Sequence, residues 1–249
     1  MLVDVHAHLD FKEFDSDRNE VINEAKKAGV VKIITSGLNQ KTNENALELS
    51  KKYGIVEASL GLYPIDMLKL NGKQISSCLE FIKKHSKEIV GIGEVGLDYQ
   101  ESQDKITQKK NFQQIISLAE SLNLPIIVHS RKAESDVIEM LESSKIKKVV
   151  LHCFSGNMKL VKKASDLNYN FSIPCNILFS NHFKTLVENV PLKQLLTETD
   201  CPYLSPIKGQ RNEPKYIGYT INEIAKLKKL TEEETKKIIF MNYQRIFSL

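Results

Sequence analysis

The chain has 249 residues, of which 41% are hydrophobic and 27% are charged, a composition typical of a folded globular protein rather than of a disordered, collagen-like or low-complexity chain. Its 35 basic and 31 acidic side chains give a formal net charge of +4, which is too small to indicate nucleic-acid binding by bulk electrostatics. A chain of this length is long enough for a single α/β barrel.

Short apolar runs alternate with longer amphipathic segments along the chain, which is typical of repeated βα units around a parallel sheet. Successive runs lie about 20 to 35 residues apart, enough for a crossover helix and two loops. Helices are also predicted after the eighth strand, the last beginning at the capping-box pattern of Thr231 and Glu234. No linker divides the chain, so residues 1–249 are predicted to form one domain. The eight strands are predicted to begin near Leu2, Val31, Ile55, Ile89, Leu124, Lys148, Tyr169 and Gln194.

The first predicted strand alternates apolar and polar residues. Positions 3, 5, 7 and 9 are apolar, and Asp4, His6 and His8 share the opposite face. A strand in an open parallel sheet is normally apolar on both faces, whereas a polar face is explained if it points into a barrel and ends at a metal ion bound by two imidazoles. The pattern therefore favours a closed (β/α)8 barrel over an open doubly wound sheet. Taken alone, the His-x-His pattern is better explained by two incidental surface histidines.

The fourth predicted strand ends in Gly-Ile-Gly-Glu-Val-Gly at residues 91–96, which matches the dinucleotide-binding pattern G-x-G-x-x-G. That fingerprint requires a helix directly after the glycines and an acidic residue at the end of the next strand. Here Leu97 continues the apolar run, helical character begins only near Asp104, and Glu120 falls inside that helix. We instead expect the glycines to leave room beside Glu94, whose carboxylate can bridge two cations.

Three further residues lie at the ends of predicted strands, His129 on the fifth, His152 on the sixth and Asp200 on the eighth. A single buried histidine there is usually a hydrogen-bonded core residue. Four histidines and two carboxylates together indicate a site on the face where barrel active sites lie. Such ligands suit two divalent ions, for example Zn²⁺ or Mn²⁺, which support hydrolysis. The candidate ligands are His6, His8, Glu94, His129, His152 and Asp200.

Seven motifs spread over the whole chain match one known family. They are Asp4-Val-His6-Ala-His8-Leu9, Gly93-Glu94-Val-Gly96-Leu-Asp98-Tyr99, Pro125 to His129, His152-Cys-Phe-Ser-Gly156, Glu198-Thr-Asp200-Cys-Pro-Tyr-Leu204, Arg211-Asn-Glu-Pro214 and Asn242-Tyr-Gln-Arg245-Ile-Phe247. Through these motifs the chain resembles the TatD-type metal-dependent deoxyribonucleases of the amidohydrolase-like barrel superfamily. The resemblance implies a single-domain (β/α)8 TIM barrel with additional C-terminal helices.

The resemblance also implies a binuclear metal site bridged by Glu94. One divalent ion is expected on His6, His8, Glu94 and Asp200, and the other on Glu94, His129 and His152. Glu94 and Asp200 are the expected catalytic residues, and Asp200 is expected to orient or deprotonate the attacking water. The implied activity is hydrolysis of DNA phosphodiester bonds (EC 3.1 class), often as an exonuclease, with Mg²⁺, Mn²⁺ or Zn²⁺ as the ions.

Three residues are candidate substrate contacts. Arg131 and Arg211 can each grip a phosphate through two hydrogen bonds. Tyr63 stands in Gly61-Leu-Tyr63-Pro64, where many family members have Gly-x-His-Pro. A phenol can donate a hydrogen bond to a phosphate oxygen but is a poor acid or base at neutral pH. The even charge balance predicts contact with only a few phosphates, and a barrel mouth suits a strand end or a single strand.

The sequence also predicts the cellular setting. The longest stretch without a charged residue, 167–183, contains Pro174 and several Asn and Ser, and the N-terminus lacks the apolar run of a signal peptide. A cytoplasmic protein with no obligate protein partner is therefore predicted. Four widely spaced cysteines indicate reduced thiols. Cys153 and Cys201 each follow a candidate ligand, and strand alternation is expected to turn both away from the site.

Two other functions stay open on the sequence alone. Another barrel metallohydrolase would act on an amide, a lactone or a small ester or phosphoester. Many amidohydrolase-type barrels bridge two metals with a carboxylated lysine on the fourth strand, but no lysine follows Lys87 there. The family's side activity, ester cleavage of D-aminoacyl-tRNA, is compatible with the same ligands. The second is a non-catalytic metal-binding or nucleic-acid-binding protein, which an intact ligand set disfavours.

Overall fold

The protein is described by a computed structural model that covers residues 1–248. Eight parallel strands form one sheet, and each strand pairs with the next in chain order. Backbone hydrogen bonds of 2.9 Å from Asp200 N to His6 O, and of 2.9 Å from His8 N to Cys201 O, link the end of the last strand to the first. The sheet therefore nearly closes into a barrel. The strands are β1 (Leu2–Ala7), β2 (Val30–Ser36), β3 (Val56–Leu60), β4 (Gly91–Asp98), β5 (Ile126–Arg131), β6 (Val149–His152), β7 (Asn170–Pro174) and β8 (Leu195–Glu198).

At least one α-helix lies between every two successive strands, and two more follow β8. This arrangement confirms the predicted single-domain TIM barrel with additional C-terminal helices, and each strand begins within two residues of its predicted start. The helices are α1 (Arg18–Lys27), α2 (Gln40–Lys52), α3 (Pro64–Leu68), α4 (Gly72–Lys84), α5 (Lys105–Leu122), α6 (Glu134–Glu142), α7 (Met158–Asp166), α8 (Asn181–Asn189), α9 (Ile217–Lys228) and α10 (Glu232–Phe247).

Local sequence signals set where the helices begin. Asp104 caps α5 by accepting a hydrogen bond of 3.1 Å from Thr107 N, so the helix starts well after the glycines of β4, as predicted. Thr231 and Glu234 form the predicted reciprocal capping box of α10. Within residues 1–248, no helix is both long and apolar enough to cross a membrane.

The polar face of β1 points into the barrel. Val3 and Val5 belong to the buried apolar core, whereas the His6 ring stacks on that of His152 from β6, with centroids 3.9 Å apart. Asp4, which shares the His6 face, is fully buried and accepts a hydrogen bond of 2.9 Å from Thr199 N. Burial raises the pKa of Asp4 to about 7. The barrel interior thus contains titratable side chains on the same face of β1 as the candidate ligands.

Candidate metal centre

The ends of β1, β4 and β8 bring four of the candidate ligands together, here called the first ligand group: His6, His8, Glu94 and Asp200. Glu94 Oε2 lies 3.3 Å from His6 Nε2 and 3.3 Å from His8 Nε2. Asp200 Oδ1 lies 3.6 Å from His6 Nε2 and 3.5 Å from His8 Nε2. Ligand atoms of a tetrahedral ion with bonds of about 2.0 to 2.2 Å are separated by about 3.3 to 3.6 Å. The first ligand group is therefore spaced for one metal ion.

The other oxygen of Glu94 faces the second ligand group, which is Glu94, His129 and His152. Glu94 Oε1 lies 2.9 Å from His129 Nδ1 and 3.8 Å from His152 Nε2. The candidate ligand atoms of these three residues all lie within 4.8 Å of one another. The two oxygens of one carboxylate thus point to two different pairs of imidazoles.

The chemistry of these donors fits a divalent cation. His6 is fully buried, and its Nε2 atom has no hydrogen-bond partner although it points at two carboxylates. A buried polar atom without a partner is costly in a folded protein, and a metal ion would satisfy it. Imidazole and carboxylate are ligands that Zn²⁺ and Mn²⁺ accept.

Four polar groups orient the histidines from behind. His8 Nδ1 lies 3.1 Å from Ser36 O, and His6 Nδ1 lies 3.1 Å from Ser36 Oγ. A carbonyl oxygen only accepts, so His8 Nδ1 carries a proton and Nε2 is the atom that faces the site. In the second ligand group the partners are carboxylates. His129 Nε2 lies 2.9 Å from Asp98 Oδ2, and His152 Nδ1 lies 3.0 Å from Glu198 Oε2.

Sequence reasoning assigned no role to Ser36, Asp98 or Glu198. Two of them carried a readable signal, because Asp98 and Glu198 are carboxylates within apolar strand segments, and both are fully buried. A buried carboxylate needs a hydrogen-bonding or charged partner, and the candidate ligands His129 and His152 were available as partners.

Electrostatics keep the ligand carboxylates ionised. Burial alone would raise the pKa of Glu94, but the nearby imidazoles of His129, His6 and His8 hold it well below the usual range. Burial would also raise the pKa of Asp200, but contact with His8 outweighs it and lowers the pKa. Both carboxylates are therefore charged at neutral pH and available to bind a cation.

Two of the histidines hold protons strongly in the metal-free protein. Burial disfavours the charged imidazole, but Asp200 and Glu94 raise the pKa of His8 to about 10. Burial likewise disfavours the charged form of His152, but the Glu198 carboxylate raises the pKa of His152 to about 10. A metal ion must displace such protons, so we expect binding to release protons and to strengthen as the pH rises.

A cavity of about 680 Å³ opens above the ligands and is bordered by Tyr63 and Arg131 among the predicted substrate contacts. The exposed Arg131 guanidinium makes one long contact, 3.7 Å to Glu101 Oε1. Tyr63 directs its hydroxyl to Asp98, where it donates a hydrogen bond of 2.8 Å to Oδ2. Both side chains are therefore close enough to the ligands to act on the same site.

Arg211 lies elsewhere and does not line this cavity. Its Nη2 atom lies 2.6 Å from Asp17 Oδ2 and 3.0 Å from Glu213 Oε1. The guanidinium also sits over the ring of Phe14, 4.4 Å from the centroid. These contacts join the loop after β8 to the start of α1, so the structure gives Arg211 a role in holding that loop.

Two sequence expectations about neighbours of the ligands were wrong. Cys153 borders the cavity, because β6 ends at His152 and the backbone at Cys153 turns to φ 43° instead of continuing the strand. Cys201 is buried as expected. The glycines of β4 do not make room for a bulky object, because a Cβ at Gly96 would collide with the carbonyl oxygen of His129. They allow β4 to approach β5 closely.

An eight-stranded barrel that gathers imidazoles and carboxylates at the ends of its strands defines the class of metal-dependent barrel hydrolases. Residues 3–248 match the family model described as TatD related DNase. The chain therefore belongs to the TatD family, and it is a metal-dependent hydrolase of that family.

Named relatives agree with this assignment, and a solved structure shares the fold. The chain is 41% identical over 245 residues, 98% of this chain and 96% of the relative, to the uncharacterized metal-dependent hydrolase MJ1582 of Methanocaldococcus jannaschii. It is 34% identical over 258 residues, 99% of this chain and 94% of the relative, to the human deoxyribonuclease TATDN3. The fold is shared with the crystal structure of the TatD homologue YJJV from Escherichia coli K12, at a TM-score of 0.92 and 24% identity over 100% of this chain and 98% of that one.

Proposed function

We propose that this protein is a two-metal deoxyribonuclease that hydrolyses phosphodiester bonds at DNA strand ends, as an exonuclease does. The observation that carries the proposal is the division of the Glu94 carboxylate, with Oε2 at 3.3 Å from two imidazoles and Oε1 at 2.9 Å from a third. A carboxylate placed in this way can bridge two ions.

The first ligand group would hold one ion and the second ligand group the other, with Mg²⁺, Mn²⁺ and Zn²⁺ as the candidates. Two bound divalent ions would lower the pKa of an attacking water and neutralise the charge that develops on the phosphoryl oxygens. The proposed catalytic residues are Glu94, which belongs to both ligand groups and would bridge the two ions, and Asp200.

Asp200 is placed to handle the water. Its side chain is 16% exposed whereas that of Glu94 is 5% exposed, and it borders the cavity. Contact with His8 keeps the pKa of Asp200 below its usual value, so the carboxylate is ionised and can accept a hydrogen bond. We propose that Asp200 orients the attacking water and takes its proton.

Arg131 is the proposed phosphate contact. Its guanidinium is exposed at the cavity rim and held only by the 3.7 Å contact to Glu101, so a phosphate can compete for it through two charge-assisted hydrogen bonds. On the other side of the mouth, Tyr203 is 54% exposed and lies edge-on to Phe11, with ring centroids 6.2 Å apart. Aromatic side chains of this kind stack unpaired bases. This combination supports a strand end or a single strand as the substrate.

The test is cleavage of end-labelled single-stranded and duplex DNA with Mg²⁺, Mn²⁺ or Zn²⁺ by the wild type, Glu94→Gln and a control, Glu134→Gln. Glu134 accepts a hydrogen bond of 2.9 Å from Ser155 Oγ near the rim but touches no ligand. We expect a metal-dependent ladder from the wild type and the control, and none from Glu94→Gln. Intact DNA after incubation with wild type that has been shown to bind two ions would overturn the proposal.

One observation favours a second candidate, hydrolysis of a small phosphoester or ester, including the ester of D-aminoacyl-tRNA. Among the described residues that line the cavity, Arg131 is the single Lys or Arg, which is enough for one phosphate but few for a long backbone. Bis(p-nitrophenyl) phosphate and aminoacyl esters belong in the same assay. Turnover of these compounds without DNA cleavage would favour the second candidate.

A further inference from the structure

On the basis of the two-metal function proposed above, we propose that Tyr63 is a positioning residue for the second ligand group. Its phenol holds Asp98, and Asp98 holds His129 in the orientation in which His129 binds metal. Tyr63 therefore acts on the metal site through Asp98, and the phosphate contact expected from the sequence is not its role.

Three side chains form a continuous chain of contacts. Tyr63, the residue before α3, donates its hydroxyl proton to Asp98 Oδ2 at 2.8 Å. The same oxygen lies 2.9 Å from His129 Nε2. The rings of Tyr63 and His129 also meet edge to face, with centroids 5.1 Å apart and an angle of 67° between the planes. One carboxylate oxygen thus links the phenol to a metal-ligand imidazole.

Asp98 has no freedom to turn towards other partners. Its Oδ1 atom accepts two backbone hydrogen bonds of 2.9 Å, from Gln100 N and Glu101 N. The residue is fully buried at the end of β4. With Oδ1 fixed by the backbone, Oδ2 is the atom that orients His129, and Tyr63 is the other donor to it.

The hydrogen-bonding capacity of a phenol decides between the two roles of Tyr63. A tyrosine hydroxyl has a single proton to donate, and in this structure that proton is directed to Asp98. A phosphate oxygen is an acceptor and requires a donor. Tyr63 cannot donate to a phosphate without releasing Asp98, so its contact with Asp98 and a contact with substrate exclude each other.

His129 is the more exposed of the two histidines in the second ligand group. The His129 side chain is 15% exposed and the His152 side chain is 5% exposed. Since Asp98 accepts the Nε2 proton of His129, Nδ1, which lies 2.9 Å from Glu94, is the atom whose lone pair can bind a metal ion once its own proton is released. Loss of a group that orients a metal-bound histidine typically weakens metal binding by about 10- to 100-fold.

Tyr99 offers a matched control. It is a buried tyrosine, and its hydroxyl donates a hydrogen bond of 2.6 Å to the Asp136 carboxylate. Neither residue is among those that line the cavity. A Tyr99→Phe change therefore removes the same kind of hydrogen bond without touching a metal ligand or a residue that orients one.

The experiment measures Mn²⁺ binding to the full-length chain without DNA, by equilibrium dialysis and calorimetry, for the wild type, Tyr63→Phe, Tyr63→His, Asp98→Asn, the double variant Tyr63→Phe with Asp98→Asn, and Tyr99→Phe. Circular dichroism and thermal unfolding establish that each variant is folded. Activity on an oligonucleotide is recorded separately as kcat and KM.

We expect Tyr63→Phe to weaken the affinity for one of the two Mn²⁺ ions by about fivefold, which is the effect expected from the loss of one hydrogen bond. The affinity for the other ion should be unchanged. Tyr63→His, which retains an N–H donor, should restore part of the affinity, and Tyr99→Phe should bind as the wild type does. Asp98→Asn should weaken the same ion by about 10- to 100-fold. The double variant should be no worse than Asp98→Asn, because both changes break one chain of contacts.

Several results would overturn the proposal. Tyr63→Phe with unchanged binding of both ions and a raised KM would show a substrate contact. Additive losses in the double variant would show that Tyr63 acts independently of Asp98, and a wild type that binds fewer than two ions would remove the second site itself. A wild type that binds two ions but leaves DNA intact would refute the proposed function alone, since metal binding is measured without DNA.

Discussion

Glu198 supports His152 from behind, and its replacement by glutamine gives the sharpest test of the second ligand group. The Glu198 carboxylate is fully buried and accepts three hydrogen bonds, from Cys153 N at 2.9 Å, His152 Nδ1 at 3.0 Å and Ser172 Oγ at 2.5 Å. In Glu198→Gln the amide oxygen can still accept from Cys153 N, and the Ser172 hydroxyl can turn to accept from the new NH₂ group. His152 Nδ1 then faces a donor.

Two responses are open to His152, and each has a measurable consequence. If its proton stays on Nδ1, a buried donor is left unpaired, which costs about 1 to 3 kcal/mol of unfolding free energy. If the proton moves to Nε2, stability is largely retained, but the lone pair that would bind metal is lost. Metal affinity should fall by about 10- to 100-fold in either case.

The assay is urea unfolding of the metal-free protein, followed by circular dichroism, together with Mn²⁺ titration of the folded protein. Glu134→Gln is the matched control, because its partly exposed carboxylate accepts one hydrogen bond from Ser155, and its stability should change by no more than about 0.5 kcal/mol. Unchanged stability and unchanged metal affinity in Glu198→Gln would refute the reasoning.

Three further changes test other parts of the structure. Burial would raise the pKa of Asp98, but hydrogen bonds outweigh it and lower the pKa to about 2. The stabilisation by the ionised Asp98 carboxylate is therefore complete above about pH 4 and is lost as the pH falls towards 2. Urea unfolding at a series of pH values should show a weaker acid dependence of stability in Asp98→Asn. Phe154→Ala, at a fully buried ring, should cost about 3 to 5 kcal/mol in urea unfolding, whereas Phe179→Ala, at a ring that is 70% exposed, should cost less than about 0.5 kcal/mol. Gly96→Ala should lower the melting temperature far more than Gly29→Ala, because both glycines have positive φ but only the first has a backbone atom in the way.

The course of the barrel could be predicted from the sequence because its signals are local. Apolar runs and helical spacing are properties of neighbouring residues, and they placed every strand start within two residues. The two helices between β3 and β4 were not separated in advance. Their boundary depends on Asn71, whose side chain accepts a hydrogen bond of 3.0 Å from Gln74 N at the start of α4, and an Asn-x-x-Gln cap is a weaker sequence signal than Ser or Thr followed by Glu.

The six candidate ligands could also be proposed from the sequence, since residues at the ends of parallel strands meet on one face of a barrel. Strand position did not reveal which residues near that face take part. Arg211 was proposed from its residue type, and its actual partner Asp17 lies 194 positions away in the sequence. Cys153 was misplaced because alternation holds only while the strand continues. The Cys153 error comes from treating a loop as an extension of a strand.

The partners of the ligand histidines show a division that no single motif expresses. They lie 28 to 46 positions from their histidines, so only the folded chain reveals the pairs. His6 and His8 rest on the neutral oxygens of Ser36, and their group contains a second carboxylate ligand in Asp200. His129 and His152 share Glu94 as a candidate ligand, and the carboxylates Asp98 and Glu198 lie behind them.

This division places negative charge differently in the two groups. In the first ligand group, both carboxylates would serve as ligands of the proposed ion. Behind the second ligand group, the carboxylates of Asp98 and Glu198 contact the imidazoles of His129 and His152. There they would strengthen the ligands and offset positive charge without being ligands themselves. The second ligand group would therefore leave more positions of its proposed ion open towards the cavity that Arg131 borders. A phosphate bound there would lie beside both the ion and the guanidinium, an arrangement that would favour hydrolysis of a phosphodiester.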